Sequence, residues 1–340
     1  MKKIYILFIL VALIRFVFAD SNLPEIHSAI MLDAKFYSSD NNNEGMYNTD
    51  NRFQIRKAVF GLEGLYDEHI EYAFELGLST CSGSGMQVQV MDAGLLYLVT
   101  DDFKLGIQQG HILFGFAGKT ECSARLSLEK SDFVKTFGEC HPLGFVMNKY
   151  TEIGDNMGVE AEFAVLNGKS STFNGDARYN FGLIFETPLQ GLALTGVYNF
   201  GEDVYYDADN SYLEFKKETN RIIAGIEYRN HNLWLTGEMF KGKGFTTYKQ
   251  EMNAWYAQLG YDFKTDFDRL ASIQPYVKYE FWDKNYDSPI KDEISMVESG
   301  INFKLSANTM VRCAYQKNKV ESDNSEKSPN ALIVRLQTTF

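Results

Sequence analysis

The residues of this chain that could do chemistry are spaced for cross-linking and for charge, not for covalent catalysis. Its five histidines, His27, His69, His111, His141 and His231, form no i, i+4 pair and no Cys/His ladder of zinc-ligand spacing. The adjacent Cys140-His141 reads as a coincidence within a loop, and no G-x-S-x-G nucleophile elbow occurs. The expectation is a protein that is not an enzyme and needs no cofactor. The four cysteines, Cys81, Cys122, Cys140 and Cys313, allow three complete pairings. A Cys122–Cys140 bridge would close most of the segment 117–143, and a closure of that size contributes about 3 kcal/mol by loop entropy. Cys81 bridging into the same segment is its rival. Cys313 lies in a row with Val311 and Tyr315 and reads as a small apolar residue.

The charged residues fall into two sets. Arg178, Arg221, Arg312 and Lys304 alternate with apolar neighbours and share a face with Glu186, Glu227, Glu298 and Asp262. Opposed charges of this kind in a narrow channel can set ion selectivity, and they can equally brace a wall. The second set is Arg125, Lys130 and Lys135, in the segment 117–143, beside Glu121, Glu129, Asp132 and Glu139. That segment also carries Leu126, Leu128, Phe133, Val134, Phe137 and Leu143, too much apolar surface for a freely solvated loop. It is expected to fold inward, with its three bases at the narrowest point of whatever encloses it.

Strands must position these groups. Period-2 alternation runs almost throughout, as in Tyr179, Phe181, Leu183 and Phe185 against Arg178, Asn180, Gly182 and Glu186. Sixteen segments follow, near 26–37, 52–65, 69–80, 87–100, 103–116, 144–153, 157–167, 176–187, 192–200, 218–229, 233–243, 252–265, 272–283, 294–305, 309–319 and 331–340. Many are 10 to 14 residues long, nearer tilted membrane strands than the five or six residues usual in soluble sheets. Tight links such as Asp101-Asp102 and Asn230-His231-Asn232 alternate with longer polar ones at 38–51, 117–143, 201–217, 284–293 and 320–330. An even strand count, with short turns at one end and long loops at the other, is the pattern of a transmembrane antiparallel β-barrel of the bacterial outer membrane. The long links are expected outside the cell, with the segment 117–143 as the third outer loop.

Both ends of the chain fit. The final strand, Ala331 to Phe340, alternates and closes on an aromatic residue, as a barrel strand ending in the interfacial girdle would. Met1-Lys2-Lys3 followed by the apolar run Ile4–Phe18 reads as a signal peptide, residues 1–19, cleaved after Ala19 to leave a barrel over 20–340. Its loss removes Lys2, Lys3 and Arg15, making the formal charge of −12 more negative by three. So acidic a chain is not suited to nucleic acid. Its expected partners are outer-membrane lipids and small solutes or ions.

A family resemblance appears in the first half. Phe53-Gln54-Ile55-Arg56-Lys57-Ala58-Val59-Phe60-Gly61-Leu62-Glu63-Gly64 resembles a strand of the form F-x-I-R-R-A-R-L-G-L-E-G in the phosphate-selective porin O and P family. The likeness continues through Glu71–Leu76, through Leu105–Gly115 where the family has R-V-G-Q-F-K-V-P-F-G, and through Phe163–Gly168. It implies a sixteen-stranded porin, often trimeric, whose third outer loop narrows the pore. His111 stands where the family commonly has Lys, which adds it to the candidate pore residues, and Val59 replaces a third basic residue. Phosphate specificity is therefore not carried over. The expectation is a passive diffusion porin for small hydrophilic solutes or ions; the alternative is a non-enzymatic surface or adhesive protein with a plugged barrel.

Overall fold

Alternation becomes seventeen strand segments in the computed structural model, which describes residues 24–37, 52–79, 87–138, 141–154, 156–167, 177–206, 214–243, 251–286, 292–322 and 330–340. The first half holds β1 (Glu25–Tyr37), β2 (Arg52–Tyr66), β3 (Ile70–Ser79), β4 (Gln87–Thr100), β5 (Phe103–Gln109), β6 (Leu143–Glu152), β7 (Gly158–Asn167) and β8 (Ala177–Glu186). The second holds β9 (Leu192–Tyr206), β10 (Glu214–Asn230), β11 (Leu233–Lys243), β12 (Glu251–Tyr261), β13 (Phe263–Phe267), β14 (Leu270–Asp283), β15 (Asp292–Lys304), β16 (Thr309–Ser322) and β17 (Ala331–Thr339). Both β12 and β13 pair with β14, so they are one strand interrupted at Asp262. Seventeen segments thus make sixteen staves.

Every stave pairs antiparallel with its chain neighbours, and β1 pairs with β17 as well as β2, which closes the ring. The Phe340 amide and carbonyl complete the seam through Ser28. Closure satisfies the backbone groups that a free sheet edge would leave open in lipid. The outer face is apolar: Ile26, Leu32, Phe181, Leu332, Leu336 and Phe340 all stay exposed, while Met31, Asp33, Ile333, Arg335 and Gln337 on the alternate positions are buried. Cys313 lies on the outward row between buried Arg312 and Ala314. Tight turns gather at one end, with Asp67, Glu68, Asn156 and His231 in the left-handed region. The strand ends Tyr37 and Arg52, Tyr206 and Glu214, and Ser322 and Ala331 lie at the other. The expected leader, 1–19, lies outside the described residues.

Several boundaries differ from the sequence reading; β16, for one, runs to Ser322, inside the expected loop 320–330. Strands β9 and β10 extend into the segment expected as the loop 201–217, pairing as far as Tyr206 and Glu214. Leu143, counted with the third loop, opens β6 and faces outward. The largest correction concerns β5, which stops at Gln109 instead of continuing to 116. Ile112, Leu113 and Phe114 are all buried, one after another, because the chain has left the wall and is surrounded on every side. The excursion therefore runs over 110–142, with two short helices, α1 (Gly115–Lys119) and α2 (Asp132–Phe137).

Candidate pore constriction

An irregular segment inside a barrel must find partners for its backbone groups, since no ladder supplies them. Here the inward side chains of the wall do so. Glu162 of β7 accepts the Leu113 N–H at 2.7 Å, and Glu238 of β11 accepts those of Phe116 and Ala117 at 2.6 and 3.1 Å. Glu298 of β15 accepts the Leu128 N–H at 2.7 Å, and Glu280 of β14 accepts that of Asp132. Donors serve the carbonyls: Asn180 to Leu113, Asn302 and Arg312 to Leu126, Arg335 to Leu128 and Gln337 to Ser123, at 2.7–3.1 Å. These partners come from β7, β8, β11 and β14–β17. The segment is thus held inside the ring.

Its apolar side chains pack on the same part of the wall. Phe114, Phe133, Val134 and Phe137 share a cluster with Val197, Ile223, Phe240, Tyr256 and Trp282, and the Phe137 and Phe240 rings stack at 5.1 Å. Leu126 and Leu128 join Trp234, Tyr276, Ala314 and Ile333 in a second cluster. Two wall glycines act as sockets. A Cβ at Gly182 would stand 2.6 Å from Leu113 Cγ, and one at Gly260 would stand 2.6 Å from Leu126 Cδ1. Only a residue without a side chain lets the segment approach so closely.

The residues singled out by sequence divide accordingly. Arg178, Arg221 and Arg312 do point inward, and all three are buried. Arg312 bonds the Arg125 and Leu126 carbonyls, while the Arg221 guanidinium lies 4.6 Å from the Phe137 ring centre. Lys304 pairs with Asp262 at 2.6 Å. Of the loop bases, Arg125 turns back onto the Thr120 carbonyl and Lys130 is buried against the Gly118 carbonyl. Lys135 is exposed and pairs with Asp132 at 3.0 Å. The three do not converge on one point. His111 sits in the excursion, not on a strand, with its ring 4.9 Å from that of His141. Burial pushes its imidazole down to about 3, and nearby Lys130 adds to the effect. The Cys122–Cys140 and Cys81 pairings involve Cys140 and Cys81, which lie outside the described residues.

Sequence reasoning missed an ion network at the seam. Arg335 of β17 faces Asp33 of β1 in register and binds it through two bonds of 2.6 and 2.9 Å. Arg335 also reaches Glu129 of the excursion at 2.8 Å, and Glu129 takes a bidentate pair from Arg56 of β2 at 2.9 and 3.1 Å. Burial opposes ionisation of Glu129, but Arg56 and Arg335 hold its carboxyl well below the usual range. A register shift in β2 opposite Met31/Leu32 lets consecutive Arg56 and Lys57 both point inward. A second shift between β3 and β4 does the same for Met91 and Asp92. Period-2 counting has no access to such shifts; Arg335 and Asp33, by contrast, lie on regularly alternating strands.

What the excursion leaves open is a cavity of about 570 Å³ against β1–β5, bordered on the other side by Glu121, Cys122 and Ser123. Its wall carries Lys57 within 3.3 Å of Glu75, His27 within 3.2 Å of the same carboxylate, and Lys104 within 2.8 Å of Glu71. Asp92 meets His141 at 2.8 Å.

A closed antiparallel ring of this kind has solved counterparts. OmpF of Salmonella typhi, in complex with daunomycin, is 11% identical over 95% of this chain and 99% of its own, with a TM-score of 0.64. The trimer form of OmpT, an outer-membrane protein of Vibrio cholerae, is 11% identical over 93% and 99%, with a TM-score of 0.63. The outer-membrane channel DcaP of Acinetobacter baumannii is 10% identical over 93% and 97%, with a TM-score of 0.58. The fold is that of an outer-membrane porin. No protein-family model and no curated protein matches the sequence, so the porin fold rests on architecture alone. The outer-membrane location expected from the strand pattern agrees with that porin barrel.

Proposed function

We propose that the chain is a passive channel for small hydrophilic solutes in the outer membrane of a Gram-negative bacterium, exported by its leader 1–19 and acting without a covalent step. One observation carries this reading. The excursion packs against β7–β17 but leaves a charged cavity along β1–β5, and a second cavity of about 810 Å³ opens at the turn end of β6–β10; in this reading water and solutes pass through the open volume. The proposed assembly is a homotrimer, as the family resemblance implies and as one structural counterpart is described. The likeness to the phosphate-selective porin O and P family belongs to this proposal too, because the segment that carries it forms β2 beside the cavity. Phosphate selectivity does not, since Arg56 is committed to Glu129 and Lys57 to Glu75.

The second reading, a plugged surface protein, draws on the extent to which the excursion packs against the wall. Planar-bilayer recording of the purified, refolded chain separates the two. Stepwise conductance is expected, and it should grow when residues 124–138 are deleted. A folded barrel that carries no current would sink the channel reading in favour of the plug.

A further inference from the structure

The loop bases that sequence analysis placed at the constriction are spent on the loop itself. Arg125 and Lys130 bond carbonyls of their own segment, and Lys135 pairs with Asp132. None of the three borders the cavity along β1–β5. Among the described residues, that cavity is bordered by five carboxylates, Glu63, Glu71, Glu75, Asp92 and Glu121. Against them stand two ammonium groups, and each is matched to one carboxylate: Lys57 to Glu75 and Lys104 to Glu71. Among the described residues Glu63 and Glu121 are left without a basic partner, while Asp92 meets His141 at 2.8 Å. Glu63 and Glu121 are exposed and face the open volume directly. On the excursion side the described lining residues are Gly110, His111, Glu121, Cys122 and Ser123, none of them a lysine or arginine.

We infer that the β1–β5 wall sets the specificity of the channel, and that it favours cations, small organic amines and hydrated metal ions alike, over anions such as phosphate. The inference rests on the channel reading given above. Its physical basis is the field of two unmatched carboxylates, Glu63 and Glu121, in a confined space, where each charge acts more strongly than on an open surface. Glu75 and Asp92 contribute less directly, because Lys57, His27 and His141 are within contact distance of them. Glu63 lines the cavity from β2, near its turn to β3, and Glu121 lines it from the excursion. The selectivity filter is thus a wall, not a loop tip.

Reversal potentials across a KCl gradient test this with the full chain in bilayers. The wild-type protein should pass K⁺ several-fold more readily than Cl⁻ at low salt, and the preference should shrink in molar KCl as the charges are screened. Glu63→Gln, an exposed site, and Glu121→Gln should each move the permeability ratio toward unity with conductance retained. Lys135→Ala should move it less. Anion preference in the wild type, or a ratio that ignores both glutamine variants, would overturn the inference and leave the channel standing. Absence of any conductance from the folded wild type would overturn both. A cation preference indifferent to salt concentration would show that it does not arise from these fixed charges.

Discussion

Along β1–β5 the inward side chains include Lys57, Glu75, Asp92 and Lys104, which border open volume; along β7–β17 they include Val197, Phe240, Trp282 and Arg312, which border packed backbone. Both regions obey the same alternation, with apolar residues outward. They differ in what the inward row meets. One is a lumen wall in the ordinary sense. The other is half of a protein core whose second half is the excursion 110–142, with side chains such as Phe114 and Phe133 fully buried. A barrel of this kind therefore has two interiors, and an inward-pointing charge means different things in each. In the packed region a buried arginine holds a loop carbonyl; in the open region a carboxylate faces water.

That contrast can be tested where it should be strongest. Arg335→Ala removes a buried guanidinium from Asp33, Glu129 and the Leu128 carbonyl together. Leaving those partners unmatched should cost roughly 3–5 kcal/mol, read as a lower urea midpoint in detergent. A loss below about 1 kcal/mol would mean the seam network is not a core element.

Gly260→Val should follow. It fills the socket of Leu126 and should destabilise by about 1–3 kcal/mol through overpacking. Because it dislodges the excursion, it should also raise single-channel conductance, whereas a glycine replaced on the outer face should not. Unchanged conductance would place the excursion's seat elsewhere.

Acid should act on the packed region through groups of the excursion. The His111 imidazole, pushed down to about 3 from its ordinary 6.5, refuses a proton that the unfolded chain accepts. Its contribution to stability is full above about 6.5 and is lost as the pH falls toward 3. Glu129, held below its usual range, contributes above its ordinary value and loses that contribution as the pH falls through its depressed one. Both effects have the same sign, so between pH 7 and pH 4 the urea midpoint of the wild type should shift further in the destabilising direction than that of His111→Gln. An identical pH dependence in the two proteins would contradict the burial of His111.

The smallest effect belongs to the open wall. Lys104 and Glu71 pair at 2.8 Å but are both more than one-third exposed. Lys104→Ala should therefore change stability by no more than about 1 kcal/mol, while moving the permeability ratio further toward cations.

Much of the frame was legible beforehand because a strand advertises its two faces at every second residue. Arg178, Arg221 and Arg312 were placed on the inward row from that pattern alone, and the apolar content of 117–143 indicated a segment folded inside. The true start of the excursion was hidden. Ile112-Leu113-Phe114 continues an apolar run that reads as strand, and only three-dimensional packing shows that all three are enclosed. The destination of the bases was hidden for another reason. Period-2 counting says which side a residue takes, not whether that side holds water or a carbonyl. The partners are also far apart in sequence: Arg312 meets the Leu126 carbonyl 186 positions away, and Arg335 meets Asp33 302 positions away. Two register shifts, at Arg56/Lys57 and Met91/Asp92, completed the difference.

The seat of Glu129 is made from opposite ends of the polypeptide. Arg56 and Asp33 come from the first two strands, Arg335 from the last, and they stand together only where β1 meets β17. Until that final hydrogen-bonded zipper forms, Glu129 has half a binding place. The outline of the open passage beside it is therefore complete only in a ring whose first and last strands have met.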